Sequence, residues 1–350
     1  MKEQNRTAAL SNMEISAFCG QMALILSSGI STLEGVSVML EDTTDAAEKT
    51  MLESLYAKLE ESGSLTEAVE STGAFPAYAV SMIRIGEETG RLDDIMRSLS
   101  TYYSREEDIA RSIRSAVFYP MVMIAMMAAV IVVLLVKVMP IFNQVFIQLG
   151  SELTGFSAGL MRIGTTLSRY SAVFAGLLVV LAALFLWACF TKSGSRFRGA
   201  AGYKFGFSRK IMEEAAACRF AGGMAITLSG GMTPEEGLSL TAGLNEDSVF
   251  GKKAAEAKEL VEGGMNLAEA LQKTGIFSGV SCRMATVGEK TGSLDRAMEE
   301  IAAQYREDLD SRIAGTISVL EPTLVIVLSL IVGVILLSVM LPLLGIMSGI

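Results

Sequence analysis

The sequence predicts an all-α membrane protein: two tandemly duplicated cytoplasmic six-helix bundles plus three transmembrane helices. Three observations carry this. The chain has 350 residues, of which 51% are hydrophobic and only 19% charged, more apolar than an ordinary water-soluble domain. The excess lies in three uncharged blocks, Val117–Val136, Ala172–Phe190 and Thr323–Ile350. Finally, the heptapeptide Gly86-Glu87-Glu88-Thr89-Gly90-Arg91-Leu92 returns as Gly288-Glu289-Lys290-Thr291-Gly292-Ser293-Leu294, and 288 − 86 = 202.

Residues 1–15 form a short polar tail with no secretory-signal pattern. The first bundle is expected over 16–116. Phe18, Met22, Ile25 and Leu26 recur at helical spacing on one face, and Gly29 offers the left-handed residue that ends a helix. Ser31-Thr32-Leu33-Glu34 and Ser64-Leu65-Thr66-Glu67 read as capping boxes, each opening a helix. Between them a helix covers roughly 46–61, and Gly73 closes the one after Ser64. Phe75-Pro76 begins the helix that runs into Gly86–Leu92. In that motif Gly86 permits close helix contact, Gly90 reverses the chain and Leu92 folds back as an apolar anchor. Glu87 and Thr89 are candidates for hydrogen bonds across the turn. The last helix carries Leu92, Ile95, Met96, Leu99 and Tyr103 on one stripe and leads into the first apolar block.

Adding 202 reproduces these landmarks without a gap. Phe18 becomes Phe220, Gly29 becomes Gly231 and Glu34-Gly35 becomes Glu236-Gly237. The capping boxes recur as Thr233-Pro234-Glu235-Glu236 and Asn266-Leu267-Ala268-Glu269, the first with proline at a position where its missing N–H costs nothing. Tyr103, Pro120 and Pro140 become Tyr305, Pro322 and Pro342. The second bundle is therefore expected over 218–318, and Gly288, Glu289, Thr291, Gly292 and Leu294 take the roles of Gly86, Glu87, Thr89, Gly90 and Leu92.

A bilayer-crossing helix needs ~20 apolar residues, so membrane spans are assigned to 117–139, 172–190 and 319–345. Arg105, Arg111 and Arg114 precede the first block; Lys192, Arg196, Arg198, Lys204, Arg209 and Lys210 follow the second. The loop 140–171 carries only Arg162 and Arg169, with Lys137 at its edge. Positive residues mark the cytoplasmic side. Both bundles and the basic linker 191–217 are therefore expected inside, and the loop, whose Ile141–Leu149 stripe suits an interfacial helix or packing on the spans, outside. Glu321-Pro322 is expected near a helix start at the cytoplasmic edge.

The residue inventory excludes most chemistry. Histidine is absent, and the four cysteines form no CxxC pair, which removes zinc sites and Ser–His or Cys–His nucleophile systems. Gly288-Glu289-Lys290-Thr291 resembles the end of a phosphate-binding loop, but Glu289 interrupts the Gly-Lys pair and Glu88 replaces Lys290 in the sister copy. The apolar blocks contain no aspartate, against a membrane aspartyl peptidase. The acids Glu87-Glu88, Asp93-Asp94 and Glu106-Glu107-Asp108 could hold a hard cation or form a solvated face. No catalytic, cofactor or metal site is assigned, and a net charge of −9 offers no nucleic-acid footprint. A transporter or channel component is the alternative class, opposed by the lack of ionisable groups at mid-membrane, since Lys137 and Glu321 fall at span ends.

The duplicated bundle, both Gly-Glu-x-Thr-Gly-x-Leu copies, the Phe-Pro or Phe-Ser entry before each, and the paired Pro120 and Pro322 resemble the GspF/PilC family of cytoplasmic-membrane platform proteins. These serve type II secretion, type IV pilus and competence pseudopilus machines. The resemblance covers residue 16 to the C-terminus; the tail 1–15 is shorter than in many members. It implies a non-enzymatic platform in the cytoplasmic (inner) membrane that couples a hexameric assembly ATPase to insertion of pilin or pseudopilin subunits. It further implies contact with other inner-membrane assembly components and membrane lipid, self-association as a homo-oligomer, no cofactor and no direct nucleic-acid binding. Positions 88 and 91, which differ between the copies, are where differing partners of the two bundles are expected.

Overall fold

A computed structural model describes residues 9–138, 140–141, 144, 206–245 and 249–348. Among these the fold is all-α. Helices α1 (Asn12–Ser27), α2 (Thr32–Asp42), α3 (Ala46–Ser62), α4 (Leu65–Thr72), α5 (Ala77–Thr89) and α6 (Leu92–Val133) come from the first copy. The second supplies α7 (Gly206–Ser229), α8 (Pro234–Ala242), α9 (Val249–Glu262), α10 (Leu267–Lys273), α11 (Gly279–Thr291) and α12 (Leu294–Ser348).

The expected count of three membrane helices is corrected to two among the described residues. Only α6 and α12 are long and apolar enough to cross a membrane; the expected block 172–190 and the stripe 141–149 lie largely or wholly outside the described residues. Both bundle-to-span transitions are continuous helix: Asp93 and Asp94, or Asp295, suit the positive first turn, and no proline falls between that turn and Pro120 or Pro322. Pro322, expected near a helix start, instead falls well inside α12, as Pro120 does inside α6. Tyr119, just before Pro120, stands beside Glu321, its counterpart just before Pro322.

Two compact units result: Met1–Arg111 with Phe205–Asp310, and Ser112–Lys204 with Ser311–Ile350. In the first, both copies build their cores alike. Phe18 meets Phe75 edge-on at 5.1 Å, and Phe220 meets Phe277 at 6.0 Å. The Ser16 hydroxyl donates to the Ser100 carbonyl, and Cys218 Sγ donates to the Ala302 carbonyl. At the crossing of α1 and α2 a side chain on Gly35 would collide with Ile25, and one on Gly237 with Thr227 at the crossing of α7 and α8.

The helix ends follow local chemistry. After α1 the amide of Gly29 bonds Leu26 O and that of Ile30 bonds Ile25 O; Gly231 and Met232 do the same after α7. These double closures are glycine-dependent stops. α1 begins earlier than Ser16, at a full capping box between Ser11 and Glu14 that the sequence reading passed over. The box at Thr233 and Glu236 forms completely, whereas at Ser31 only the Glu34 amide is capped.

Candidate functional site

The heptapeptides join α5 to α6 and α11 to α12, and their first glycines are required by contact. A Cβ on Gly86 would lie 3.1 Å from Leu92 Cα; one on Gly288 would lie 2.5 Å from Ala297 Cβ. Gly90 and Gly292 sit at φ 69° and 72°, the left-handed region where other residues are strained. The amides of Arg91 and Ser293 close the turns on the carbonyls of Gly86 and Gly288. Leu294 is buried and Leu92 packs on the first core.

The glutamate does what the expected capping box was to do. Glu87 does not stay in its own turn: its carboxylate reaches the start of α4. There it accepts from the amides of Leu65 and Thr66, the latter at 3.1 Å, and from the hydroxyls of Ser64, at 2.8 Å, and Thr66. Glu289 accepts from the amides of Leu267 at 2.8 Å and Ala268 at 3.3 Å, at the start of α10. A carboxylate on these unpaired N–H groups gains both hydrogen bonds and the favourable helix dipole. The local box is correspondingly incomplete: Ser64 caps the Glu67 amide, but Asn266 makes no side-chain cap. Its place is taken by a residue from another helix. The signal was present in the sequence as an equal separation, Leu65 to Glu87 and Leu267 to Glu289, but it was masked by the repeated local glutamates Glu67 and Glu269.

Thr89, expected to bond across the turn, instead donates to Ile85 O one turn back in its own helix, whereas Thr291 both donates to Val287 O and shares a hydrogen bond across Gly292 with Ser293. At position 91 the Arg91 guanidinium donates to Ser229 O at the C-terminus of α7, at 2.9 Å, and pairs with Asp94 at 3.3 Å. Its counterpart Ser293 hydrogen-bonds Thr291 at 2.7 Å.

Arg91 belongs to a wider joint between the bundles, which the sequence reading did not anticipate. Tyr78 Oη, buried, donates to Gly223 O at 3.0 Å. Ile226 of α7 is buried within the first bundle's core, with Leu240 and Leu244 packed against it. Gly230 lets α7 approach closely, since a Cβ there would stand 3.1 Å from Ile95 Cδ1. Buried Glu106 receives Arg219 Nε at 2.6 Å, and Arg306 reaches Asp108 at 2.9 Å. Burial works against the Arg219 charge, but Glu106 and Tyr102 beside it outweigh that and raise its pKa. A cleft of about 650 Å³ runs between α6, α7 and α12, lined among others by Arg97, Arg105, Arg219, Glu299, Arg306 and Glu307.

The acid clusters are thus largely spent inside the protein: Glu87 on α4, Asp94 on Arg91, Glu106 on Arg219 and Asp108 on Arg306. Among the described residues no group of three or more acids or cysteines converges as a metal cage. Cys19, Cys218 and Cys282 are buried free thiols. Burial pushes Cys19 up to about 12 and Cys218 up to about 11, the opposite of a thiol prepared as a nucleophile.

Comparison with known proteins gives the same two-part division. The family model for type II secretion system (T2SS) protein F matches residues 18–140 and again 220–342, segments that differ by 202 at both ends. The chain is 27% identical to the type IV pilus assembly protein PilC of Thermus thermophilus over 94% of this chain and 82% of that one. It is 25% identical to PilC of Pseudomonas aeruginosa, over 94% of this chain and 89% of that one. The type II secretion system protein F of Aeromonas hydrophila is 24% identical, over 95% and 86%. With one family model covering both bundles and both long helices, the chain belongs to the type II secretion system protein F family.

Proposed function

We propose that this protein is the platform on which a cytoplasmic assembly ATPase drives the polymerisation of pilin or pseudopilin subunits in a secretion, pilus or competence machine. A non-enzymatic membrane role in pilus or secretion assembly is what membership of this family carries. The observation that carries the reading is the double family match, each half of which spans a bundle and the apolar helix leaving it. In this reading residues 16–116 and 218–318 are cytoplasmic docking bundles, with 191–217 a basic linker beside them. That both copies pack into one compact unit supports their sharing one aqueous side. Arg105, Arg111, Arg114, Arg209 and Lys210 favour the cytoplasmic face. Gly86, Glu87, Thr89, Gly90, Leu92 and their counterparts serve docking indirectly, by fixing the helices whose exposed acids meet the ATPase. Pilins, other inner-membrane components, lipid and further copies of the chain complete the set of partners.

The test is retention of the assembly ATPase by the full-length tagged chain purified from membranes. The expected result is stable co-purification that weakens when exposed bundle acids such as Glu53 and Glu60 are changed to lysine, with thermal stability unchanged. Failure of the unaltered chain to retain any assembly ATPase would contradict the proposal.

A further inference from the structure

Each long helix carries a proline inside it, Pro120 in α6 and Pro322 in α12. Proline has no N–H, so the carbonyl one turn earlier loses its helical donor. In α6 that carbonyl belongs to Ala116, and in α12 to Ser318, whose hydroxyl is already spent on Gly315 O. The residues just before the prolines differ in charge. Tyr119 holds the place in the first copy and Glu321 in the second, and the two stand side by side. Each follows its freed carbonyl by three positions, which puts it on the same side of its helix. Four acceptors thus gather around one negative charge: a carboxylate, a phenol oxygen and two carbonyls. Among the described residues no cation pairs with Glu321, and α12 carries no further charge beyond it. Both side chains are exposed. They lie two residues inside the spans assigned from the sequence, about 3 Å along the helix. That is the membrane–water boundary, where tyrosine is enriched and lipid headgroups begin.

We infer that Glu321, with Tyr119 and the two freed carbonyls, binds a lipid headgroup that ends in a primary ammonium, of the phosphatidylethanolamine type. An ionised carboxylate at the edge of hydrocarbon is costly unless a cation meets it. A primary ammonium brings that charge and three N–H donors, matching the carboxylate and the carbonyls together. A trimethylammonium headgroup brings the charge without a donor, and an anionic headgroup is repelled by Glu321. The Tyr119 hydroxyl donates as well as accepts, so it serves the headgroup phosphate that the other three groups cannot. Position favours lipid over an amine from another protein: the acceptors open outward at headgroup level, where lipid is the constant neighbour of a membrane helix. The site exists once, because its charge comes from the second copy alone. It needs α6 and α12 to lie in a membrane, and it stands apart from the ATPase and filament subunits of the platform reading.

The experiment places the full-length chain in nanodiscs that hold phosphatidylethanolamine and phosphatidylcholine in equal amounts. Lipids that stay on the protein after release into mild detergent are counted by native mass spectrometry. The unaltered chain is expected to retain phosphatidylethanolamine over phosphatidylcholine by about fivefold, the scale of one solvent-accessible charge pair. Glu321→Gln, an exposed change that disturbs no core, should retain the two alike, while Glu300→Gln on the water-exposed part of α12 should keep the preference. Equal retention by the unaltered chain, or a preference that survives Glu321→Gln, would overturn the inference. A second arm uses native membranes and a membrane-permeant carbodiimide, which joins a carboxylate to an amine in contact with it. The expected adduct on Glu321 is phosphatidylethanolamine; a protein lysine or N-terminus in its place would overturn the assignment to lipid.

Discussion

At the scale of single residues, Glu87 shows why a short motif can look catalytic and be structural. Its carboxylate serves two amides and two hydroxyls at the start of α4, and an amide in its place keeps one acceptor oxygen and loses the charge. Charge-assisted hydrogen bonds contribute about 1.5–3 kcal/mol. Glu87→Gln is therefore expected to destabilise the protein by about 1–2 kcal/mol, against less than about 0.5 kcal/mol for exposed Glu88→Gln. Thermal unfolding of the two variants checks this; equal effects would deny the cap. Glu289→Gln should cost less than Glu87→Gln, because Glu289 receives amides without the added hydroxyls. The two glutamates were legible as members of a turn. Their target was not, because a carboxylate's reach to another helix depends on packing that no local spacing encodes.

At the scale of elements, the α1–α6 pair and its copy α7–α12 carry the buried polar links of each bundle. They place Cys19, Cys218 and Tyr102, and α5 places Tyr78, where water is excluded. Burial raises the Cys19 thiol from 9.0 to about 12 and the Cys218 thiol from 9.0 to about 11, and lifts both tyrosines well above their ordinary range. Above pH 9 the unfolded chain releases these thiol protons while the folded chain keeps them, so the unfolded state binds fewer protons and stability falls as pH rises. The contribution is whole below about pH 9 and is lost as pH rises toward about 12. Unfolding midpoints measured from about pH 8 to about pH 10.5 should drop, and replacing Cys19 and Cys218 together by alanine should flatten the drop. An unchanged slope would contradict the burial assigned to them. Helix ends were well marked in the sequence wherever glycine or a local cap decides them, as at Gly29, Gly90 and Thr233. The box at Asn266 was misread because Glu289 had taken its work. The expected start at Ser16 ignored the cap at Ser11.

At the scale of the whole molecule, a repeat of 202 positions was readable because caps, turn glycines and core aromatics all recur in register. What the repeat could not disclose is how the copies meet. Identical faces carry different residues at the joint: Ile226 against Leu24, Arg219 against Ala17, Arg91 against Ser293. Which face is covered depends on these differences rather than on the shared pattern. Hydropathy likewise identified apolar blocks, of which two lie in described helices long enough to cross a membrane. The central claim is that the two bundles work as one docked body, with a second-bundle side chain completing the first bundle's core. Hydrogen exchange on the full-length Ile226→Ala variant tests it most directly, because removing a buried isoleucine costs about 2–4 kcal/mol, enough to raise local opening by at least tenfold. The account predicts faster exchange in α5 and the first turns of α6 as well as in α7; faster exchange confined to residues 206–245 would contradict it.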